Sequence, residues 1–225
     1  MDVFEKCAEL IKAQREIYYN AYEDGKASAG GGGSYDEGFE AGKQAEYDAF
    51  WDAYQQNGNK NFYTYAFYGN QWTDDIYKPK YLIKFAGYTQ QTYLDSQITS
   101  TKVPIECSDG TTLHGVFRKA KQLKTIVRLK VAKDTSFVDT FKECSKLENL
   151  TLDGEIGKNG FDVQDCVNLS KDSIVIIINA LSTTTTGLSI TLSLTAVNNA
   201  FEGGSTGTEW LALAGTRNNW TINLV

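Results

Sequence analysis

The sequence predicts an α/β protein in which short repeats stack as a solenoid, preceded by a helical extension and closed by an α/β cap. Three observations carry that reading. A motif recurs from Tyr93 onward at steps of 24, 24 and 22 residues. Charge is divided unevenly along the chain. The C-terminal quarter alternates helix-like and strand-like patterns.

The repeat comes first because it decides the fold. Tyr93-Leu-Asp-Ser96, Phe117-Arg-Lys-Ala120, Phe141-Lys-Glu-Cys144 and Val163-Gln-Asp-Cys166 align. Three positions after the small residue stand Leu123, Leu147 and Leu169, with Thr99 as the exception, and Ile126 and Leu150 follow three further on. Each unit thus reads large apolar, x, x, small, x, x, Leu, x, x, apolar, and then a short strand: Ile126-Val-Arg-Leu-Lys-Val131 or Leu150-Thr-Leu152. A large and a small residue three apart fill one inward-pointing turn, and the Leu leads into a strand that stacks on its neighbour. No unit buries its face alone, so the units must stack. The expected repeat core is Phe117, Leu123, Phe141, Cys144, Leu147, Leu150, Cys166 and Leu169.

Residues 1–56 carry five basic and twelve acidic side chains, a net charge of −7, and residues 57–225 carry 17 and 16, a net of +1. The shift marks a boundary near Asn57-Gly58-Asn59. Phe4, Cys7, Ile11, Gln14, Tyr18 and Ala21 recur at steps of three and four, a heptad seam with one polar member. A lone helix of that length is marginal in water and needs a partner. After the joint Gly30-Gly-Gly-Gly-Ser34, a second helix is expected over 36–56 from Phe39, Lys43, Tyr47, Phe50 and Tyr54. Residues 1–56 are therefore expected to be a helical assembly segment, coiled-coil in pattern. It either folds back as a hairpin or joins chains as a homodimer or homotrimer through residues 4–21. Residues 57–92, with Phe62-Tyr-Thr-Tyr-Ala-Phe-Tyr68 and Trp72, read as a loop-like aromatic cap on the N-terminal end of the repeats. The repeats span 93–181, and residues 182–225 form the C-terminal cap.

In the tail of the chain, Ser170 is placed as the N-cap of a helix to about Leu181, with Asp172 in its first turn. Leu188, Ile190, Leu192 and Leu194 alternate as a strand. Short helices are expected at Ala196–Phe201 and Thr208–Ala214, and a last strand at Trp220–Leu224.

The run Phe141-Lys-Glu-Cys144-Ser-Lys-Leu147-Glu-Asn-Leu150-Thr-Leu152 resembles the leucine-rich repeats of BspA-like bacterial surface proteins, over about residues 90–180. The ending, Leu169 to Leu181 and then Asn219-Trp-Thr-Ile-Asn-Leu-Val225, is similar to the ends of short leucine-rich proteins from phage and prophage tail regions of gut bacteria, as is the segment 45–56. The resemblance implies a non-enzymatic recognition or structural role, a protein partner or self-assembly, and a phage-tail (virion) or bacterial-surface setting. The chain departs from long members of that family in having only three or four degenerate units.

Function classes are narrowed by what the residues can do. The net charge is −6, which argues against nucleic-acid binding driven by bulk charge. The start has no signal-peptide pattern and the longest apolar run, Ile174–Ile178, is far too short to span a membrane. Cys7, Cys107, Cys144 and Cys166 lack metal-ligand spacing and His114 is the single His, so no metal and no cofactor is expected. No P-loop follows Gly25-Lys26, Gly42-Lys43 or Gly157-Lys158. His114 has no nucleophile motif beside it. Asp74-Asp75 and Asp162–Asp165 read as solvated turns. Cys144 and Cys166 fall in the small slot and are expected to be reduced and buried.

Two binding candidates remain. Lys102–Lys133 holds eight basic residues against Glu106 and Asp109, whereas 134–175 holds four basic against nine acidic. Arg118, Lys121, Lys124, Arg128 and Lys130 could meet a partner's anions, or attract the acidic neighbouring repeat. The alternative function is a glycan-binding or carbohydrate-active protein using 62–72, with Tyr65, Tyr68 and Trp72 stacking on sugar rings.

Overall fold

The structure, a computed structural model, describes residues 69–70, 72–75 and 82–225. The chain divides into two units, Met1–Asn59 and Lys60–Val225, and the described residues belong to the second. The readings for 1–56 and for Tyr65 and Tyr68 lie outside the described residues.

The described residues form a mixed α/β fold of parallel strands with few helices. Nine strands are present: β1 (Ile83–Phe85), β2 (Tyr88–Gln90), β3 (Ile105–Cys107), β4 (Thr112–His114), β5 (Thr125–Val131), β6 (Asn149–Gly154), β7 (Phe161–Val163), β8 (Leu188–Leu192) and β9 (Trp220–Leu224). They make three sheets, ordered β1-β3-β5-β6, β2-β4 and β7-β8-β9, and every strand pair is parallel. Among the described residues there are three α-helices: α1 (Lys171–Ala180), α2 (Leu194–Ala200) and α3 (Thr208–Gly215).

The motif large-x-x-small-x-x-Leu closes two consecutive turns. The Cys144 N–H donates to the Phe141 carbonyl and the Leu147 N–H to the Cys144 carbonyl, both at 3.1 Å. The same pair recurs from Ala120 to Phe117 and Leu123 to Ala120, both at 3.0 Å, and from Cys166 to Val163 and Leu169 to Cys166. Just before the small residue, the backbone turns left-handed at Asp95, Lys119 and Glu143, with φ of 60, 60 and 61°. These are not glycines, so each carries a strain that the repeated turn must outweigh.

Between equivalent positions the backbone bonds run from one circuit of the chain to the next. The Tyr93 N–H reaches the Val116 carbonyl at 2.7 Å, and Phe117 reaches Thr140 at 3.0 Å. In the first sheet Ile83 lies beside Ile105 and Ile105 beside Leu129. The inward side chains fill one core. Phe117, Leu123, Phe141, Cys144, Leu147 and Cys166 are fully buried, and Leu150 and Leu169 nearly so. Tyr93, Phe117 and Phe141 form a column of near-parallel rings, with centroids 5.1 and 5.9 Å apart. Where Val163 supplies no ring, Phe161 continues the column, 5.5 Å from Phe141 and tilted.

Three readings need correction. Residues 83–90 are not loop but β1 and β2, so the ladders begin about ten residues before Tyr93. Three-residue strands are too short to show a period. Second, β8 ends at Leu192. Ser193 caps α2 by accepting from the Ala196 N–H, which draws Leu194 out of the strand and into the helix. Third, Asp74 is tied down: the Thr99 N–H and hydroxyl both bond to its carboxylate, and Lys102 lies 3.2 Å away. The cap on α1 is as read, with the Ser170 side chain accepting from Ser173.

Leu147→Ala deletes a fully buried side chain from this core and should cost on the order of 2–5 kcal/mol. Denaturant melts check it; a loss below about 0.5 kcal/mol would place Leu147 outside the core.

Candidate functional site

The four-stranded sheet turns one face to the core and the other outward. Ile83, Phe85, Ile105, Cys107, Ile126, Leu129, Val131, Leu150 and Leu152 point in. The pairing register then aligns the outward residues: Lys84 beside Glu106, Glu106 beside Lys130, and Lys130 beside Asp153. Four neighbouring strands thus carry charges of alternating sign in one row.

A bulge in β5 enlarges this face. The register shifts between Ile126 and Leu129, so two residues, Val127 and Arg128, lie between inward positions. Val127 is 38% exposed. Arg128 reaches Asp153 on β6 with Nε at 3.1 Å and Nη2 at 2.5 Å. Lys130 lies 3.7 Å from Glu106 on β3. At the edge of the face Lys133 pairs with Glu155 at 3.1 Å. A hydrogen bond with the Ser182 hydroxyl, aided by Lys133 and opposed by slight burial, holds the Glu155 carboxyl below its ordinary value. Exposed pairs of this kind contribute about 0–1 kcal/mol each, so they set register and surface pattern more than stability.

The basic candidates therefore do not form one cationic patch. Arg128 and Lys130 sit on the sheet face with acidic partners. Lys121 is in the turn after Phe117, 3.9 Å from Glu143 of the next circuit. Lys124 is exposed just before β5. Arg118 is partly buried, and its Nε has no hydrogen-bond partner among the described residues. Trp72 is partly buried, its carbonyl accepting from the Gln97 N–H at 2.8 Å.

A second outward face lies on β2 and β4. Tyr88 is hydrogen-bonded to His114 Nδ1 and its ring meets the imidazole edge-on, with centroids 5.6 Å apart. Val138, on the next circuit, is 47% exposed. Beside it Asp139, Lys142, Asp162, Gln164 and Asp165 line a small pocket floored by Phe141. Burial, reinforced by Asp165 and Asp139, raises the Asp162 carboxyl above its ordinary value, although the Gln164 N–H bonds to it. Among the described residues no group of His, Cys, Asp or Glu is arranged to hold a metal ion, and no helix is long and apolar enough to cross a membrane.

Cys107, Cys144 and Cys166 are free and buried. The Cys144 thiol contacts the Phe117 carbonyl oxygen at 2.9 Å, and Cys166 repeats the contact to Phe141 at 3.8 Å. Burial pushes the Cys144 thiol up to about 12 and Cys166 well above the usual range.

The row Lys84–Glu106–Lys130–Asp153, the exposed Val127 and the Tyr88–His114 pair were not singled out in the sequence. The available signal was the match of Ile83-Lys-Phe85 with Ile105-Glu-Cys107, 22 residues apart. No family model, curated protein or solved structure matches the chain.

Two outcomes follow from these environments. Native Cys144 and Cys166 should react with a maleimide at pH 8 only as fast as the protein opens, because thiolate is the reactive form. Rapid labelling of both in the folded protein would contradict their burial. Asp162→Asn should stabilise the protein slightly at pH 7, where the carboxyl is ionised against its burial. A raised carboxyl penalises the fold once ionised, so the gain should fade as pH falls through the raised range and be gone below the ordinary Asp range. Urea melts at pH 7 and pH 3 check the sign.

Proposed function

We propose that residues 83–225 are a short leucine-rich-repeat-like solenoid acting as a non-enzymatic recognition or structural module for a protein partner. The outward face of β1-β3-β5-β6 is its binding surface. The observation that supports this most is the aligned row Lys84, Glu106, Lys130, Asp153 beside exposed Val127. Such a face offers side chains on a rigid lattice about 4.8 Å apart between strands, with apolar contact at Val127 and charges that select a complementary partner. The resemblance to BspA-like and phage-tail leucine-rich proteins supports a virion or bacterial-surface setting. Assembly through residues 4–21 as a dimer or trimer belongs to the same proposal.

The test is affinity capture followed by direct titration of the captured protein. Val127→Asp combined with Arg128→Glu should weaken binding at least about tenfold, whereas Val138→Asp on the other face should leave it unchanged. Equal binding by all three proteins would overturn the assignment of the face. Specific retention on a glycan array, lost in Trp72→Ala, would put the glycan-binding alternative in its place.

A further inference from the structure

Among the described residues strand β9 has a neighbour on one side only, β8. Its bonds show which groups the open side presents. The Val225 N–H donates to the Leu192 carbonyl at 3.1 Å, and the Leu194 N–H donates to the Val225 carbonyl at 2.8 Å. In a parallel ladder alternate residues turn to the same neighbour, so Thr221 and Asn223 also face β8. The N–H and C=O groups of Ile222 and Leu224 therefore point out of the open edge.

Open edges are usually guarded by charge. Edge strands β1, β6 and β7 carry Lys84, Asp153 and Asp162; β2 and β4 carry no such charge but are only three residues long. From Asn218 to Val225 there is no ionised side chain. The nearest one along the chain, Arg217, is turned away: its Nε and Nη2 donate to the Leu181 and Asn179 carbonyls at 3.1 and 3.0 Å. Thr221 and Asn223 are exposed and neutral, and Val225 is 67% exposed.

We propose that β9 is a self-association edge, at which a second copy of this chain adds its own β9 antiparallel about a two-fold axis through Ile222. The outward groups fix the register. Ile222 exchanges both backbone bonds with Ile222 of the second copy, and each Leu224 N–H reaches the other copy's Trp220 carbonyl. Charge selects the occupant. An isologous pair sets each strand against itself, so a charged edge would repel its own copy, and this one carries no charged side chain. The two three-stranded sheets then become one of six strands.

The test uses the full chain. Thr221→Lys with Asn223→Lys places like charges opposite each other in that register without touching the core. By sedimentation at roughly 100 µM the unmodified protein should show a species of twice the chain mass, or an even multiple if residues 4–21 also assemble. The double Lys variant should lose that twofold step while keeping its circular dichroism. Site-resolved hydrogen exchange gives a second readout on the unmodified chain. The Ile222 and Leu224 amides should exchange at least about tenfold more slowly at 100 µM than at 1 µM. Fast exchange of both amides at all concentrations would overturn the proposal. So would an assembly that survives the Lys pair but falls apart with Ile11→Glu and Tyr18→Glu.

Discussion

The rest of the structure depends on the backbone ladder that joins each circuit of the chain to the next. A parallel ladder between equivalent positions requires each circuit to return to the same height and register after nearly the same number of residues. Ile83 pairs with Ile105, and Ile105 with Leu129. A circuit of the wrong length would slip the register and turn the inward row toward water. The repeated turns keep the length constant. The two carbonyls that close them, Phe117 and Ala120 in one circuit and Phe141 and Cys144 in the next, are separated by the same three residues. The ring column from Tyr93 to Phe141 follows from that registration, since equal circuits place equivalent side chains one above another.

The small slot shows how backbone and side chain constrain each other. Ser96, Ala120, Cys144 and Cys166 are all fully buried. The slot lies under a carbonyl of the previous circuit, as the contact from Cys144 to the Phe117 oxygen shows. A larger side chain would meet that carbonyl and push the neighbouring backbone away. A similar limit acts at Gly154, φ 111°, where any Cβ would collide with the Val131 carbonyl oxygen.

Much of the core was legible because it depends on spacing within one circuit. Phe141, Cys144 and Leu147 announce the turn, and Ser170 announces α1, through rules that act over three or four residues. The outward face was harder to read. Whether Lys130 meets Glu106 or solvent depends on a register set by strands 24 residues apart, and on a bulge at Val127 and Arg128. The steps from Ile126 to Leu129 to Val131, three and then two, were its only local trace. The strands β1 to β4 escaped because three residues cannot display alternation. The Asp74 carboxylate looked like a turn residue because its partners, Thr99 and Lys102, belong to the next circuit.

The ladder also dictates how the molecule would respond to tension. In the four-stranded sheet the bonds run from strand to strand, so a pull between Ile83 and Gly154, across that sheet, loads them end to end rather than in shear. Parted in this way, the bonds would give one after another. Each release would free a length of chain set by one circuit, about 24 residues or roughly 80 Å when extended. That sheet would yield as a series of small, nearly even extensions at low force, a compliant element within the fold.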